Sequence, residues 1–161
     1  MDTTLVELFR HNQWANLRLL DACAGLGNEQ LDASAVGTYG RVRDTLVHLL
    51  AAEERYVAHL TGQAPERPLR ESEGFPGIEE LRSRAQRSGE ALIQIAMNDP
   101  YTEVLHGTYR GESYSLRAVV PLVQAINHAH EHRAHVMTIL TQQGIEPPDL
   151  SGWAFCDAMN Y

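Results

Sequence analysis

The sequence holds only two cysteines, Cys23 and Cys156, and neither belongs to a CxxC pair. That argues against a thiolate metal site or a thioredoxin-like motif. Both thiols read as packing residues, Cys23 on a helix and Cys156 in a tail. No apolar run approaches the ~20 residues that a membrane-spanning helix needs, so none is expected. The start, Met1-Asp2-Thr3-Thr4, lacks the basic opening and apolar stretch of a signal peptide. A cytoplasmic location is the expectation. Basic residues are outnumbered, 13 against 21 acidic ones, for a formal charge of −8. A phosphate-backbone binder needs clustered Lys and Arg to displace counterions, so nucleic acid is not an expected partner, and neither is a membrane. Repeats and low-complexity tracts are missing too.

What remains is an ordinary globular chain. Its 161 residues, 43% of them hydrophobic, suffice for one domain over residues 1–161 with a single core. Apolar residues recur at helical spacing in four stretches. The first runs from Thr4 to Ala24, with Leu5, Leu8, Phe9, Trp14, Ala15, Leu19 and Leu20, and Gly25 and Gly27 stop it. The second spans about Val42 to Leu60 and ends at Gly62 and Pro65. A polar, proline-bearing stretch from Gln63 to Gly77 is a long crossover loop. The third helix spans about Ile78 to Met97, closed by Asn98-Asp99-Pro100. Thr102 to Ser115 is rich in β-branched and aromatic residues around Arg110-Gly111 and predicts a short hairpin. Ser115 is placed as the cap of the fourth helix, which runs to about Gln143. Pro121 is expected to bend that helix, and Gly144 to terminate it. The tail from Asp149 is expected to be irregular and pinned by Trp153 and Phe155. Four long helices with one crossover imply an all-α four-helix bundle. The last helix is apolar on more than one face, which predicts a homodimer.

Histidines carry the chemistry. His128, His132 and His135 stand at i, i+4 and i+7 and share a helix face, while His130 points elsewhere. Imidazoles at i and i+4 can converge on one cation at ~2.0–2.1 Å if a facing helix supplies a third ligand. His48 is the strongest candidate, because it interrupts the apolar run Leu46-Val47-His48-Leu49-Leu50, where an unsatisfied imidazole is costly. Histidines on a helix surface, or bonded to carbonyls in a core, account for the HxxxH pair about as well. No HExxH motif is present, so the general base of a zincin is missing.

Three segments resemble the DinB family (DinB/YfiT-like metalloenzymes). These are His11-Asn12-Gln13-Trp14-Ala15-Asn16 with Arg18-Leu19-Leu20; Arg43-Asp44-Thr45-Leu46-Val47-His48-Leu49-Leu50 with Glu53-Glu54-Arg55-Tyr56; and Asn127-His128 followed by His132-Arg133. The last is similar to the family's NHxxxHR signature, although Ala134-His135 replaces the small-polar pair often found after it. The resemblance implies a usually dimeric four-helix bundle. It also implies one divalent ion per chain, commonly zinc or nickel, held by His48, His128 and His132. A metal- and thiol-dependent S-transferase or isomerase acting on a small electrophile is the implied activity, with a low-molecular-weight thiol as cosubstrate. Alternatives are a hydrolase using metal-activated water, with Glu53 or Glu54 either as base or as solvated helix charges, and a metal-binding stress protein or dimeric interaction module without turnover. Arg133 is read as a site or substrate-carboxylate contact, or as a surface or interface ion pair. His11, Trp14 and Asn16 are placed at the pocket mouth. Tyr109 and Tyr114, in the hairpin, stay undecided between site and packing, and His135 between support of a ligand and core.

Overall fold

Amphipathic periodicity becomes four long helices: α1 (Thr3–Cys23), α3 (Val42–Thr61), α4 (Ile78–Met97) and α5 (Val119–Gln142). Short helices α2 (Asn28–Leu31) and α6 (Gly152–Met159) and a hairpin of β1 (Val104–Tyr109) and β2 (Glu112–Arg117) complete the chain. The structure is a computed structural model that describes residues 3–98, 102–109 and 111–160. Asp99-Pro100, Arg110 and the Tyr109 side chain, on which sequence expectations fell, lie outside the described residues.

In the bundle α1 packs between α4 and α5, and α3 packs between the same two on the opposite side. Cross-helix partners give the directions. Asp21 meets Arg82 while Gln13 meets the Gln86 carbonyl, so α1 and α4 are antiparallel. Leu5, Val6 and Phe9 share one apolar cluster with Leu122 and Ala125, and Leu19 and Leu20 share the other with Val136 and Ile139, so α1 and α5 are parallel. Val57 and Leu60 join Leu92 and Ala96, which makes α3 and α4 parallel as well. Two parallel consecutive helices require the crossover that the proline-rich stretch predicted. Between the two apolar clusters lies a layer of buried polar residues at the level of Asn12, Asn16, Glu53, Ser88 and Arg133.

Local signals account for most boundaries. Gly62 takes φ 71° at the end of α3 and Gly144 takes φ 72° after α5, conformations in which a Cβ is strained. At the latter, Gly144 N–H donates to the Thr141 carbonyl and Ile145 N–H to the Leu140 carbonyl, both at 3.0 Å. That Schellman pattern satisfies the terminal carbonyls and tucks Ile145 against the core. The hairpin is present, but set two residues later than predicted. Strand β2 runs on to Arg117, so Ser115 is not a helix cap: its hydroxyl pairs with His106 Nδ1 at 2.8 Å across the strands. Helix α5 starts at Val119, which puts Pro121 in the first turn, where its missing N–H has no intrahelical partner to lose. The expected cause of a bend is thereby removed. The tail is also not irregular. Ser151 caps α6 by accepting from Ala154 N–H, and Phe155 is buried against Trp14 and His11. Trp153, expected to pin the tail, is 84% exposed.

Candidate metal centre

Helix α3 presents His48 to the face of α5 that carries His128 and His132. The latter two stand one turn apart, with ring centroids 4.3 Å from each other and 5.0 and 4.7 Å from His48. One nitrogen from each of the three lies within 4.8 Å of the others. Among the described residues no Asp, Glu or Cys joins this set. His48 Nε2 and His128 Nε2 are 3.1 Å apart. Two nitrogens bound tetrahedrally to one ion at ~2.0–2.1 Å would stand about 3.3–3.4 Å from each other, so the spacing fits a shared cation.

Protonation fits as well. Burial, then repulsion from His132 and His48, pushes the His128 pKa down to about 4. Burial, then repulsion from His48 and His135, does the same to His132. Both rings are neutral near pH 7 and keep the lone pairs that a cation needs. Two further ring nitrogens of the cluster have polar neighbours. His135 Nδ1 lies 3.4 Å from His132 Nδ1, which puts His135 beside a ligand candidate rather than in the ligand set. Glu71 Oε2 lies 3.1 Å from His48 Nδ1, off the line of a well-aligned hydrogen bond, so the attraction is electrostatic more than directional. Tyr39 stacks on His48 at 4.0 Å and 18° and donates its hydroxyl to Glu71 at 3.0 Å. Burial raises the Glu71 pKa, but His48, Tyr39 and Arg55 outweigh it and hold the carboxylate below its ordinary value. Tyr39, Val47 and Glu71 also line a groove of about 470 Å³; no histidine lines it, and it adjoins the cluster only through Tyr39 and Glu71, which flank His48. A larger cavity of about 570 Å³, between α3, α4 and the crossover, contains none of the histidines.

Several sequence expectations need correction. Glu53 is not poised as a base. It is 2% exposed and accepts from Asn12 and Asn16 Nδ2, each at 3.0 Å, and from Ser88 Oγ at 2.5 Å. Burial raises its pKa against the pull of those donors. Glu54 is likewise engaged elsewhere, with Leu69 N–H at 2.7 Å and Arg84 at 2.8 Å. Arg133 is neither at the histidine site nor on the surface. It is 3% exposed and donates to Asn12 and Asn16 Oδ1, both at 2.7 Å. Burial lowers its pKa to about 10, which leaves it charged at neutral pH. Asn16 belongs to this internal layer and not to a pocket mouth. His11 Nε2 bonds the Leu150 carbonyl at 2.8 Å and packs with Trp14 on Phe155, so these two residues hold the tail. Tyr114 is a packing residue: its hydroxyl bonds His59, and its ring lies across Gly107, where any Cβ would collide with it. Glu71 and Tyr39 went unnoticed in the sequence, because a Glu in a polar crossover and a Tyr between glycines carry no periodic signal.

A helical bundle with a three-histidine cluster between two helices is the class that fold and site define. The DinB family profile matches residues 1–159, and the chain belongs to the DinB family. A DinB-like protein from Bacillus cereus is similar in structure, with TM-score 0.70, 14% identity, and coverage of 92% of this chain and 96% of that one. YfiT from Bacillus subtilis is also similar, with TM-score 0.61, 18% identity and 91% coverage of each chain. That protein is described as a probable metal-dependent hydrolase with an unusual four-helix bundle topology. No curated protein sequence matches significantly.

Proposed function

We propose that His48, His128 and His132 hold one divalent cation and that the protein is a metal-dependent hydrolase of a small substrate. The observation that carries the reading is the convergence of three imidazole nitrogens within 4.8 Å, two of them from rings kept neutral by burial. Three neutral ligands leave coordination positions open, the arrangement of catalytic rather than structural sites. A divalent cation held there would lower the pKa of a bound water and polarise a carbonyl. The chain's own contributions are orientation and access. His128 and His132 are set one helical turn apart on α5, His48 is clamped under Tyr39, and the groove lined by Tyr39 and Glu71, which flank His48, offers about 470 Å³ to a small molecule. The hydrolase description of YfiT supports the choice of water as the nucleophile.

Thiol transfer, the activity implied by resemblance, would use the same cation with a different nucleophile. Zinc and nickel are among the ions that suit imidazole ligands, and either serves the proposal. The test is release of product from a generic activated ester in thiol-free buffer. Zinc-reconstituted protein should turn over, and chelator-treated protein and His132→Ala should not. Turnover that appears only when a thiol is added would reassign the nucleophile. Loaded protein that is inactive in both buffers would make this a binding protein without catalysis.

A further inference from the structure

His48 has two ring nitrogens with different neighbours. Nε2 faces the other histidines, and Nδ1 faces a carboxylate from a distant segment. We propose that Glu71 is a positioning residue for the cation site: it keeps the His48 proton on Nδ1, so that the Nε2 lone pair is directed into the cluster, and Tyr39 clamps the pair. The inference rests on the three-histidine reading and extends it to residues of the crossover and of the α2–α3 loop.

Position is the first argument. Glu71 opens the single 3-10 turn of the crossover, Glu71–Glu73, two residues after the segment is nailed down. Leu69 is buried, and its N–H donates to Glu54 at 2.7 Å. Arg84 bonds the Arg67 carbonyl at 3.1 Å just before it. A loop carboxylate is thus held on an anchored stretch of backbone.

Convergence is the second argument. Oε2 of Glu71 accepts from the Tyr39 hydroxyl at 3.0 Å and stands 3.1 Å from His48 Nδ1, where its charge favours a proton on that nitrogen although the N–H is not aligned with it, while Oε1 faces Arg55 at 3.4 Å. An ordinary surface pair with Arg55 would need neither of the first two contacts and would contribute little. The Tyr39 ring, flat on His48 at 4.0 Å, leaves the imidazole little room to flip and exchange its two nitrogens. A ligating histidine whose second N–H points at a carboxylate is fixed in tautomer and made a better donor, and loss of such a partner typically costs about 10–100-fold in metal affinity.

The test uses the full chain without a histidine tag. Nitrogen-15 NMR of metal-free protein reads the His48 tautomer, and a cobalt(II) titration followed by visible absorption reads affinity. Wild-type His48 should carry its proton on Nδ1. Glu71→Ala should lose that preference and bind cobalt about 10–100-fold more weakly, with the melting temperature of the metal-free protein unchanged. Glu71→Gln, which keeps an acceptor oxygen, should recover part of the affinity, and Tyr39→Phe should fall between. Wild-type tautomer and affinity in Glu71→Ala would overturn the inference. A wild-type chain that binds no cobalt would overturn the three-histidine reading instead, and the metal-free tautomer measurement would still decide whether Glu71 sets the His48 ring.

Discussion

Glu53 and Arg133 do not bond each other, yet neither is tolerable alone. The carboxamides of Asn12 and Asn16 bridge them, each turning its NH2 to the carboxylate and its oxygen to the guanidinium. Opposite charges at the two ends orient both amides the same way, and the layer ties α1, α3 and α5 in one register, with Ser88 adding α4. Removing one member of a buried charge pair leaves the other uncompensated, at about 3–5 kcal/mol. Arg133→Met should therefore destabilise the fold by that amount in urea titration, and an unchanged midpoint would deny the network its role. The signal for this layer was present in the sequence: Asn12 and Asn16, one turn apart, interrupt an apolar helix face. What hid it was the pull of His132-Arg133 as a motif, which drew the arginine toward the metal. The histidine site itself was legible, since imidazoles inside apolar runs are conspicuous. Its protonation gives a second residue-scale prediction. His128 and His132 have pKa values of about 4 in the fold, against an ordinary 6.5. Between those values the unfolded chain binds more protons than the folded one. The metal-free protein should thus lose stability as pH falls from about 6.5 to about 4, with no further loss from these two groups below that. His128→Gln should flatten the slope of unfolding free energy in that window, and an unaltered slope would contradict the assignment.

At the scale of elements, the four long helices were readable because each has an apolar stripe longer than two turns and a glycine or proline at its end. Helix α4 begins and ends where the spacing put it, Ile78 and Met97. Elements that depend on tertiary contacts were not readable in the same way. The eight-residue α6 is too short for a period to emerge, and it is held by the cap at Ser151 and the burial of Phe155. The extension of β2 past Ser115 follows from docking of the hairpin on α3, where Tyr114 reaches His59. Gly107 makes that docking possible, because the Tyr114 ring occupies the space of its absent side chain. Gly107→Val should expel the ring. Amide exchange in β1 and β2 should then speed up while exchange in α1, α3 and α4 stays slow, and uniform slow exchange would show that the hairpin holds without the Tyr114 anchor.

For the whole molecule, the expected homodimer remains a proposal with a defined surface. Helix α5 exposes apolar side chains only near its start, Val120 at 53% and Val123 at 61%. Farther along, Asn127, His130, Glu131, Thr138, Thr141 and Gln142 form its exposed positions. Light scattering should give twice the 18.0 kDa chain mass, and Val123→Glu should halve it; a monomeric wild type would remove the dimer from the account. The metal centre requires one ion in one place, and anomalous diffraction from crystals grown with zinc reads it directly. A single strong peak bonded to a nitrogen of each of His48, His128 and His132 is the predicted result. Bound zinc located elsewhere, or a histidine cluster that stays empty at saturating zinc, would contradict it.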